Sequence, residues 1–236
     1  MNRAILAGYL AERYQWAAHG QLLLIECTSD DSGSYFGESS GSVLASLIPK
    51  LKKFQVINAC SKPGTDLETE TENKRILSGE TGKFNLIFLN VREHLKLREM
   101  FENALSLLLP GGLILLGNLR PVFIDEAAPH PPDSVSRRKT WLGTAWKSVI
   151  DIRAMANVDM AVGDFDWGIG IVLLRTNPIP LEQRATATGT TLTDIQGNPD
   201  KFIRDFDQYV PLLSFYELHE WLSDPRGTSR YVRKDL

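Results

Sequence analysis

The chain has 236 residues, of which 43% are hydrophobic and 23% charged. This composition is that of an ordinary globular protein and excludes disorder as the dominant state. The length allows one large domain or one domain with an appendage. Lysines and arginines number 26 against 29 aspartates and glutamates, so the formal net charge is -3 and no excess of basic residues favours a nucleic acid as partner. No apolar run approaches the roughly 20 residues that cross a bilayer, so no membrane partner is expected.

The N-terminal residues and the cysteines predict a cytoplasmic protein. Residues 1–10 contain one Arg and a short, interrupted apolar stretch without a small-residue cleavage site, which is unlike a secretion signal. Cys27 and Cys60 are too few for a disulfide framework and lack the clustered spacing of a zinc site. Both thiols are expected to be buried and inert, with a redox pair as the alternative.

The first half of the chain alternates between helical and strand patterns. Residues 2–18 carry apolar residues mostly three or four apart, which predicts an amphipathic helix that ends at Gly20. Short and mostly apolar runs are typical of strands buried on both faces of a parallel sheet. Three such runs occur, at residues 21–27 (QLLLIEC), 54–60 (FQVINAC) and 84–90 (FNLIFLN).

A long helix and a loop follow the third of these strands. Residues 93–109 have the apolar stripe of a helix packed on a sheet, and the Pro-Gly-Gly sequence at 110–112 ends it. Residues 113–116 predict the next strand. Residues 120–133 contain four prolines and predict a loop, and a loop of this length in a compact domain is often functional. Its central part, residues 121–132, is a candidate lid, with a passive surface connection as the alternative.

The second half begins with a helix and a hairpin. Residues 136–155 show helical periodicity, with Trp141 and Trp146 expected to pack in the core rather than to line a substrate pocket. Two apolar runs separated by GDFDW predict a β-hairpin. The runs lie at residues 158–162 and 168–175, and short helices are predicted at 199–209 and 214–222.

The order of these elements predicts an α/β fold. It is a Rossmann-like, doubly wound, mostly parallel sheet with helices on both sides and an antiparallel terminal hairpin. Ligands of such sheets bind beyond the carboxyl ends of the strands, near the point where the strand order reverses. The segments at these ends are residues 26–37, 58–66, 90–94 and 117–125.

Four segments together resemble one known family. The segment with the sequence LLLPGGLILL, within residues 85–118, resembles a helix and the following strand of class I S-adenosylmethionine-dependent methyltransferases, in a bacterial branch called family 24. Further similarity lies in WLGTAWKSV, DFDWGIGIVLL and LLSFYELHEWL, so that the resemblance spans roughly residues 21–222. It implies a sheet of seven strands with a reversed hairpin at its end. It also implies S-adenosylmethionine (SAM) as cofactor.

The resemblance divides the chain into three parts. Residues 1–20 are expected to form an N-terminal helix, residues 21–177 a methyltransferase-like Rossmann domain, and residues 178–236 a helical extension packed on the same domain. The implied activity is methyl transfer to a hydroxyl or amine of a small metabolite or sugar. The expected partners are this small-molecule substrate and a second copy of the chain in a homodimer.

The resemblance also implies a set of cofactor-binding residues. Glu26 matches the acid that holds the amino acid moiety of SAM. In the turn that follows it, the family has closely spaced glycines, whereas this chain has Thr28 and a later Gly33. Asn58 and Cys60 stand where a carboxylate usually holds the ribose. Asn90 stands where the family has an Asp at the end of a strand. These six residues make up the predicted cofactor site.

His94 is the candidate catalytic residue. It follows the strand that ends at Asn90. In the family, a histidine stands one residue closer to the end of this strand, and by this resemblance His94 would act as the general base. The alternative is a histidine at a helix N-terminus with a solvated ring. Amides or a hydroxyl replace family acids at Asn90, Asn118 and Thr144. These groups are weaker ligands for a hard divalent cation than carboxylates are, so no metal is predicted.

Two other functions compete with methyl transfer. The replaced acids favour a catalytically inactive, methyltransferase-like domain that serves as an interaction or scaffold protein. A nicotinamide-binding Rossmann enzyme is disfavoured, because no G-x-G-x-x-G sequence follows the first strand.

Overall fold

A computed structural model describes most of the predicted elements of the chain. The described residues are 84–130, 141–155, 157–174 and 197–223, the strands at 21–26 and 53–58, and six single residues near the two ends. The single residues are Leu6, Tyr9, Leu10, Arg13, Tyr14 and Ile195.

Seven strands of the described part form one mixed sheet in the order β2-β1-β3-β4-β6-β5-β7. The strands are β1 (Gln21–Glu26), β2 (Lys53–Asn58), β3 (Phe84–Asn90), β4 (Leu108–Leu116), β5 (Val158–Gly163), β6 (Ile169–Leu174) and β7 (Leu212–Leu213). The pairs β1–β2, β1–β3, β3–β4 and β5–β7 are parallel, and β4–β6 and β5–β6 are antiparallel.

This architecture confirms the predicted α/β class and contains the predicted hairpin, formed by β5 and β6. Two details differ from the expectation. The hairpin does not end the sheet, because β7 pairs with β5 and is the outermost strand. Within the hairpin, β6 lies between β4 and β5. The strand β7 was not predicted, since its two residues are too few to produce an alternating pattern.

The helices of the described part are short apart from one. They are α1 (His94–Leu107), α2 (Ser148–Arg153), α3 (Pro199–Arg204), α4 (Phe206–Tyr209) and α5 (Phe215–Ser223), with 3-10 turns at Ile124–Ala127 and Ala145–Lys147. The predicted helix at 199–209 is divided between α3 and α4, because Asp205 leaves the helical region at φ -107° and ψ 21°. Within the described ranges, no helix combines the length and the apolar character that crossing a membrane requires.

The Pro-Gly-Gly sequence lies inside β4 rather than between two elements. Helix α1 ends at Leu107 and β4 begins at Leu108, so the strand starts five residues earlier than predicted. Gly111 takes φ +74°, a conformation that glycine adopts without strain, and the pairing of β3 with β4 shifts register after Phe84. The turn chemistry therefore produces an irregular first half of β4 and a regular second half.

The predicted helix at 136–155 is wrong over residues 141–147. The structure describes this region from residue 141 and places a turn and a 3-10 turn before α2. The backbone N–H groups of Leu142 and Gly143 donate to the carbonyl of Glu126, and those of Thr144 and Ala145 donate to the carbonyl of Arg92. Because these N–H groups bond to distant carbonyls, they cannot form the i to i-4 bonds of an α-helix.

The core lies on both faces of the sheet because successive side chains of a strand point to opposite faces. On β3, Ile87 and Leu89 join a buried cluster with residues of α1, whereas Leu86 and Phe88 join a second cluster on the other face. Leu10 and the helix α5 cover this second face. The continuous apolar sequence of β3 is thus explained, since no residue of its centre faces water.

A conservative change at Trp221 tests how the second face is packed. Trp221 is fully buried, and among the described residues its Nε1–H group has no hydrogen-bond partner. By contrast, the Nε1–H group of buried Trp146 donates to the carbonyl of Ala127 at 3.3 Å. An unpaired buried donor costs about 1–3 kcal/mol, so Trp221→Phe removes a cost that Trp146→Phe does not.

We expect Trp221→Phe to lower the free energy of unfolding less than Trp146→Phe does, with a difference of about 1 kcal/mol or more. Denaturant unfolding of the two variants measures this difference, and equal losses would contradict the unpaired donor.

Candidate functional site

The strand order reverses at β1, which lies between β2 and β3. The last residue of β1, Glu26, pairs in register with Asn58 at the end of β2 and with Asn90 at the end of β3. In open α/β sheets, this is the place where ligands bind. Three of the predicted cofactor residues therefore meet at one level of the sheet. The other three, Thr28, Gly33 and Cys60, lie outside the described residues.

A bond between two amides ties the end of β3 to the end of β4. Asn118 Nδ2 donates to Asn90 Oδ1 at 2.8 Å. Asn118 is 1% exposed and has φ 65°, a left-handed conformation that asparagine tolerates better than most residues. Next to it, a Cβ atom on Gly117 would lie 3.0 Å from Asn90 Oδ1, so the small residue permits this close approach. Asn90 is thus held in a fixed position beside Glu26.

His94 begins α1, four residues beyond Asn90, and its ring forms a hydrogen bond with Asp151 of α2. His94 Nε2 lies 2.8 Å from Asp151 Oδ2, and both side chains are 16% exposed. His94 thus stands at a helix N-terminus, as the alternative has it, but most of its side chain is buried. Asp151 was not among the predicted site residues. The chain separates the two residues by 57 positions, and no motif in the sequence connects them.

The backbone of His94 is held by the segment that precedes α2. The N–H group of His94 donates to Thr144 Oγ1 at 3.0 Å, which gives α1 a cap from a distant part of the chain. The hydroxyl of Ser148 donates to the carbonyl of His94 at 3.4 Å. Gly143 fits against the carbonyl of Arg92, where a Cβ atom would lie only 2.5 Å from the oxygen. These contacts fix the N-terminus of α1 and explain why the segment before α2 is not helical.

The loop that follows β4 is organised by a buried carboxylate. Glu126 Oε2 accepts hydrogen bonds from the backbone N–H groups of Val122 at 2.8 Å and Phe123 at 3.2 Å. The side chains of Val122, Phe123 and Ile124 remain 55%, 46% and 45% exposed. The loop that is a candidate lid thus contains an apolar turn whose backbone is bonded to Glu126, and its last part lies outside the described residues.

The turn of the β5–β6 hairpin packs against the same loop. Arg120 forms an ion pair with Asp164, and its backbone N–H group donates to the carbonyl of Trp167 at 3.0 Å. Gly168 has φ +80°, and a Cβ atom there would lie 2.4 Å from Arg120 Cβ. Only glycine fits this contact, which joins the hairpin to the carboxyl end of β4.

Two tryptophans connect the loop to the segment before α2. Trp141 is half-buried, its Nε1–H group donates to the carbonyl of Ala128 at 2.8 Å, and the guanidinium of Arg92 lies 5.3 Å from its ring centre. Trp146 is 1% exposed and belongs to the core, as predicted. Across the described part of the chain, no group of three or more His, Cys, Asp or Glu residues could hold a metal ion.

No protein-family model matches the chain, and no curated protein sequence matches it significantly.

Similarity to solved structures is present at low sequence identity. The MycE methyltransferase from the mycinamycin biosynthetic pathway was solved with Mg and S-adenosylhomocysteine (SAH). It is 14% identical to this chain, with a TM-score of 0.42. The match covers 73% of this chain and 51% of that protein, so the chain spans about half the length of MycE. An O-methyltransferase from Bacillus cereus, solved with SAH, is 16% identical with a TM-score of 0.39, and 72% of this chain and 81% of that one are covered. The O-methyltransferase TomG from Streptomyces achromogenes, involved in tomaymycin synthesis and solved with SAM, is 18% identical with a TM-score of 0.35, over 73% and 79% of the two chains.

Proposed function

We propose that the chain is a SAM-dependent methyltransferase that acts on a hydroxyl or amine of a small metabolite or sugar. The observation that carries this proposal is the alignment of Glu26 with Asn58 and Asn90 at the point where the strand order reverses. The hairpin β5–β6, whose second strand inserts beside β4, supports it as well. Residues 21–177 would form the methyltransferase-like domain, and a homodimer stays a prediction.

The residues at the strand ends fit a cofactor that carries a cation and several hydroxyls. A carboxylate at position 26 can bind an ammonium group, and amides at positions 58 and 90 can donate to and accept from ribose hydroxyls. Asn90 keeps its side-chain NH2 group for such a contact, because its bond with Asn118 uses its oxygen. Bound there, SAM would supply a methyl group that its sulfonium cation makes electrophilic.

His94 supplies the remaining chemistry in this proposal. A hydroxyl or a protonated amine must lose a proton to become a nucleophile, and a positioned base contributes typically a factor of about 10² to 10⁴ to the rate. His94 lies just beyond the carboxyl end of β3, and its pairing with Asp151 fixes the ring. The exposed apolar turn at Val122, Phe123 and Ile124 is the part of the described loop that can contact an acceptor or exclude water.

Calorimetric titration with SAM and SAH tests the cofactor assignment directly. The proposal requires saturable binding of both in the micromolar range. If neither ligand binds at millimolar concentration, the chain is not a SAM-dependent enzyme.

The variant Glu26→Ala is expected to weaken SAM binding by an order of magnitude. A hydrogen bond to a charged group contributes about 1.5–3 kcal/mol, and 1.4 kcal/mol corresponds to about a tenfold change in Kd. Glu26→Gln keeps the shape and removes the charge, so it separates the ion pair from the hydrogen bond. Titration of both variants gives the Kd values, with Glu102→Gln on the exposed side of α1 as a control. An unchanged Kd for Glu26→Ala would remove Glu26 from the site.

A non-catalytic interaction or scaffold domain is the second candidate function. The observation that favours it is the bond between Asn90 and Asn118, because two side chains at the ligand-binding ends of the strands bond to each other. This candidate predicts a folded chain with no affinity for SAM or SAH. The calorimetric titration therefore distinguishes the two functions.

A further inference from the structure

The contact between His94 and Asp151 bears on which ring nitrogen of His94 carries the hydrogen. Nε2 of His94 and Oδ2 of Asp151 are 2.8 Å apart, and each side chain is 16% exposed. Because an ionised carboxylate can only accept a hydrogen bond, the shared hydrogen belongs to Nε2. The neutral ring then has its lone pair on Nδ1. Among the described residues, Nδ1 has no hydrogen-bond partner.

The surroundings of this pair hold both side chains in place. The N–H group of His94 is bound to Thr144 Oγ1 and its carbonyl to the hydroxyl of Ser148. Both partners lie within seven residues of Asp151, in the same short segment that ends in α2. Asp151 is therefore attached to the element that also positions the backbone of His94. A small movement of one residue relative to the other is opposed by three separate bonds.

We propose that Asp151 is a positioning residue for His94. It holds the ring in the Nε2–H tautomer and stabilises the imidazolium that forms when Nδ1 takes a proton from the acceptor. In this step the O–H bond of the acceptor breaks, an N–H bond forms at Nδ1, and the bonding electron pair stays on the oxygen. The positive charge of the ring then faces the negative charge of the carboxylate at 2.8 Å. The inference rests on the proposed function, since it assigns the ring its role in methyl transfer.

Nitrogen-15 NMR of the histidine ring tests this inference without any substrate. In the wild-type chain, we expect His94 to show one neutral tautomer with the hydrogen on Nε2. Asp151→Asn has nearly the same shape, but its amide can donate as well as accept. We expect the ring of this variant to become a mixture of tautomers. Glu102→Gln changes an acid that pairs with Arg98 on the exposed side of α1, so it serves as the matched control and should leave the tautomer unchanged.

The same variants are then compared in SAH formation from SAM, with catechol and methyl glucoside as probe acceptors. Asp151→Asn should lower the rate at saturating SAM about tenfold or more, as loss of the group that orients a catalytic histidine does, while the Kd for SAM stays the same. A wild-type tautomer in Asp151→Asn would overturn the inference, and so would a changed tautomer with full activity. Absence of SAM binding to the wild-type chain would instead overturn the proposed function, and the NMR signal would still report whether Asp151 holds the ring.

Discussion

Trp146→Ala is expected to lower the free energy of unfolding by about 3–5 kcal/mol, the usual cost of removing a large aromatic side chain from a core. The indole ring is 1% exposed, and its centre lies 4.6 Å from that of Phe202 in α3. Phe202 in turn lies 5.1 Å from Phe206 and 6.0 Å from Tyr209. Trp146 thus connects the segment before α2 to the helices near the C-terminus. The variant loses the burial of the ring, the contact with Phe202 and the hydrogen bond to Ala127.

Denaturant and thermal unfolding measure this effect. For a chain of this length, each kcal/mol shifts Tm by about 2–4 °C, so Tm should fall by roughly 10 °C. Trp167→Ala is the matched control, because Trp167 is 40% exposed on the turn of the hairpin. It should change the free energy of unfolding by no more than about 0.5 kcal/mol. A loss below about 1 kcal/mol for Trp146→Ala would mean that the C-terminal helices do not depend on this ring.

His94→Ala is expected to reduce methyl transfer about 100-fold or more and to leave the Kd for SAM unchanged. The loss follows from the size of general base catalysis, and the unchanged affinity follows because the ring bonds to Asp151 rather than to the predicted cofactor residues. The measurement is SAH formation from SAM in the presence of a panel of small sugars and phenols, together with calorimetric titration of SAM.

The control for this prediction is His219→Ala, since His219 is an exposed histidine of α5 and lies outside the candidate site and the loop that follows β4. Its activity should equal that of the wild type. Equal activity of His94→Ala would reject His94 as the base and leave its pair with Asp151 as a tie between α1 and α2. A combined loss of SAM affinity and activity would instead indicate that the N-terminus of α1 forms part of the cofactor site.

The sequence predicts the parts of this fold that depend on local pattern. The strand β3 and the helix α1 follow from their apolar residues, because burial on two faces requires a continuous run and burial on one face requires a stripe. The hairpin β5–β6 is also visible, since two apolar runs flank a short polar turn. In the candidate site, the predicted runs end within two residues of Glu26, Asn58 and Asn90, and the register brings these three residues to one level.

The parts that sequence reasoning misses depend on contacts between distant residues. Residues 141–147 have helical periodicity, but four of their N–H groups donate to the carbonyls of Glu126 and Arg92. These bonds replace helical hydrogen bonds, and the local sequence does not reveal them. Likewise, Thr144 caps α1 from 50 positions away in the chain. The resemblance to the family identifies Thr144 only as a hydroxyl in the place of an acid. Asp151 becomes recognisable as a partner of His94 only when α1 and α2 pack together. Long-range hydrogen bonds are thus the common cause of these differences.

The strand β7 has a consequence for the behaviour of the protein in solution. Without it, β5 would present a row of unpaired N–H and C=O groups, and such a row can recruit a strand from another molecule. Although β7 has only two residues, the carbonyls of Pro211 and Leu213 accept hydrogen bonds from the N–H groups of Val162 and Asp164 at 2.8 Å each. A short piece of the C-terminal region therefore occupies the hydrogen-bonding groups at one end of β5, so that this end cannot pair with a strand of another molecule.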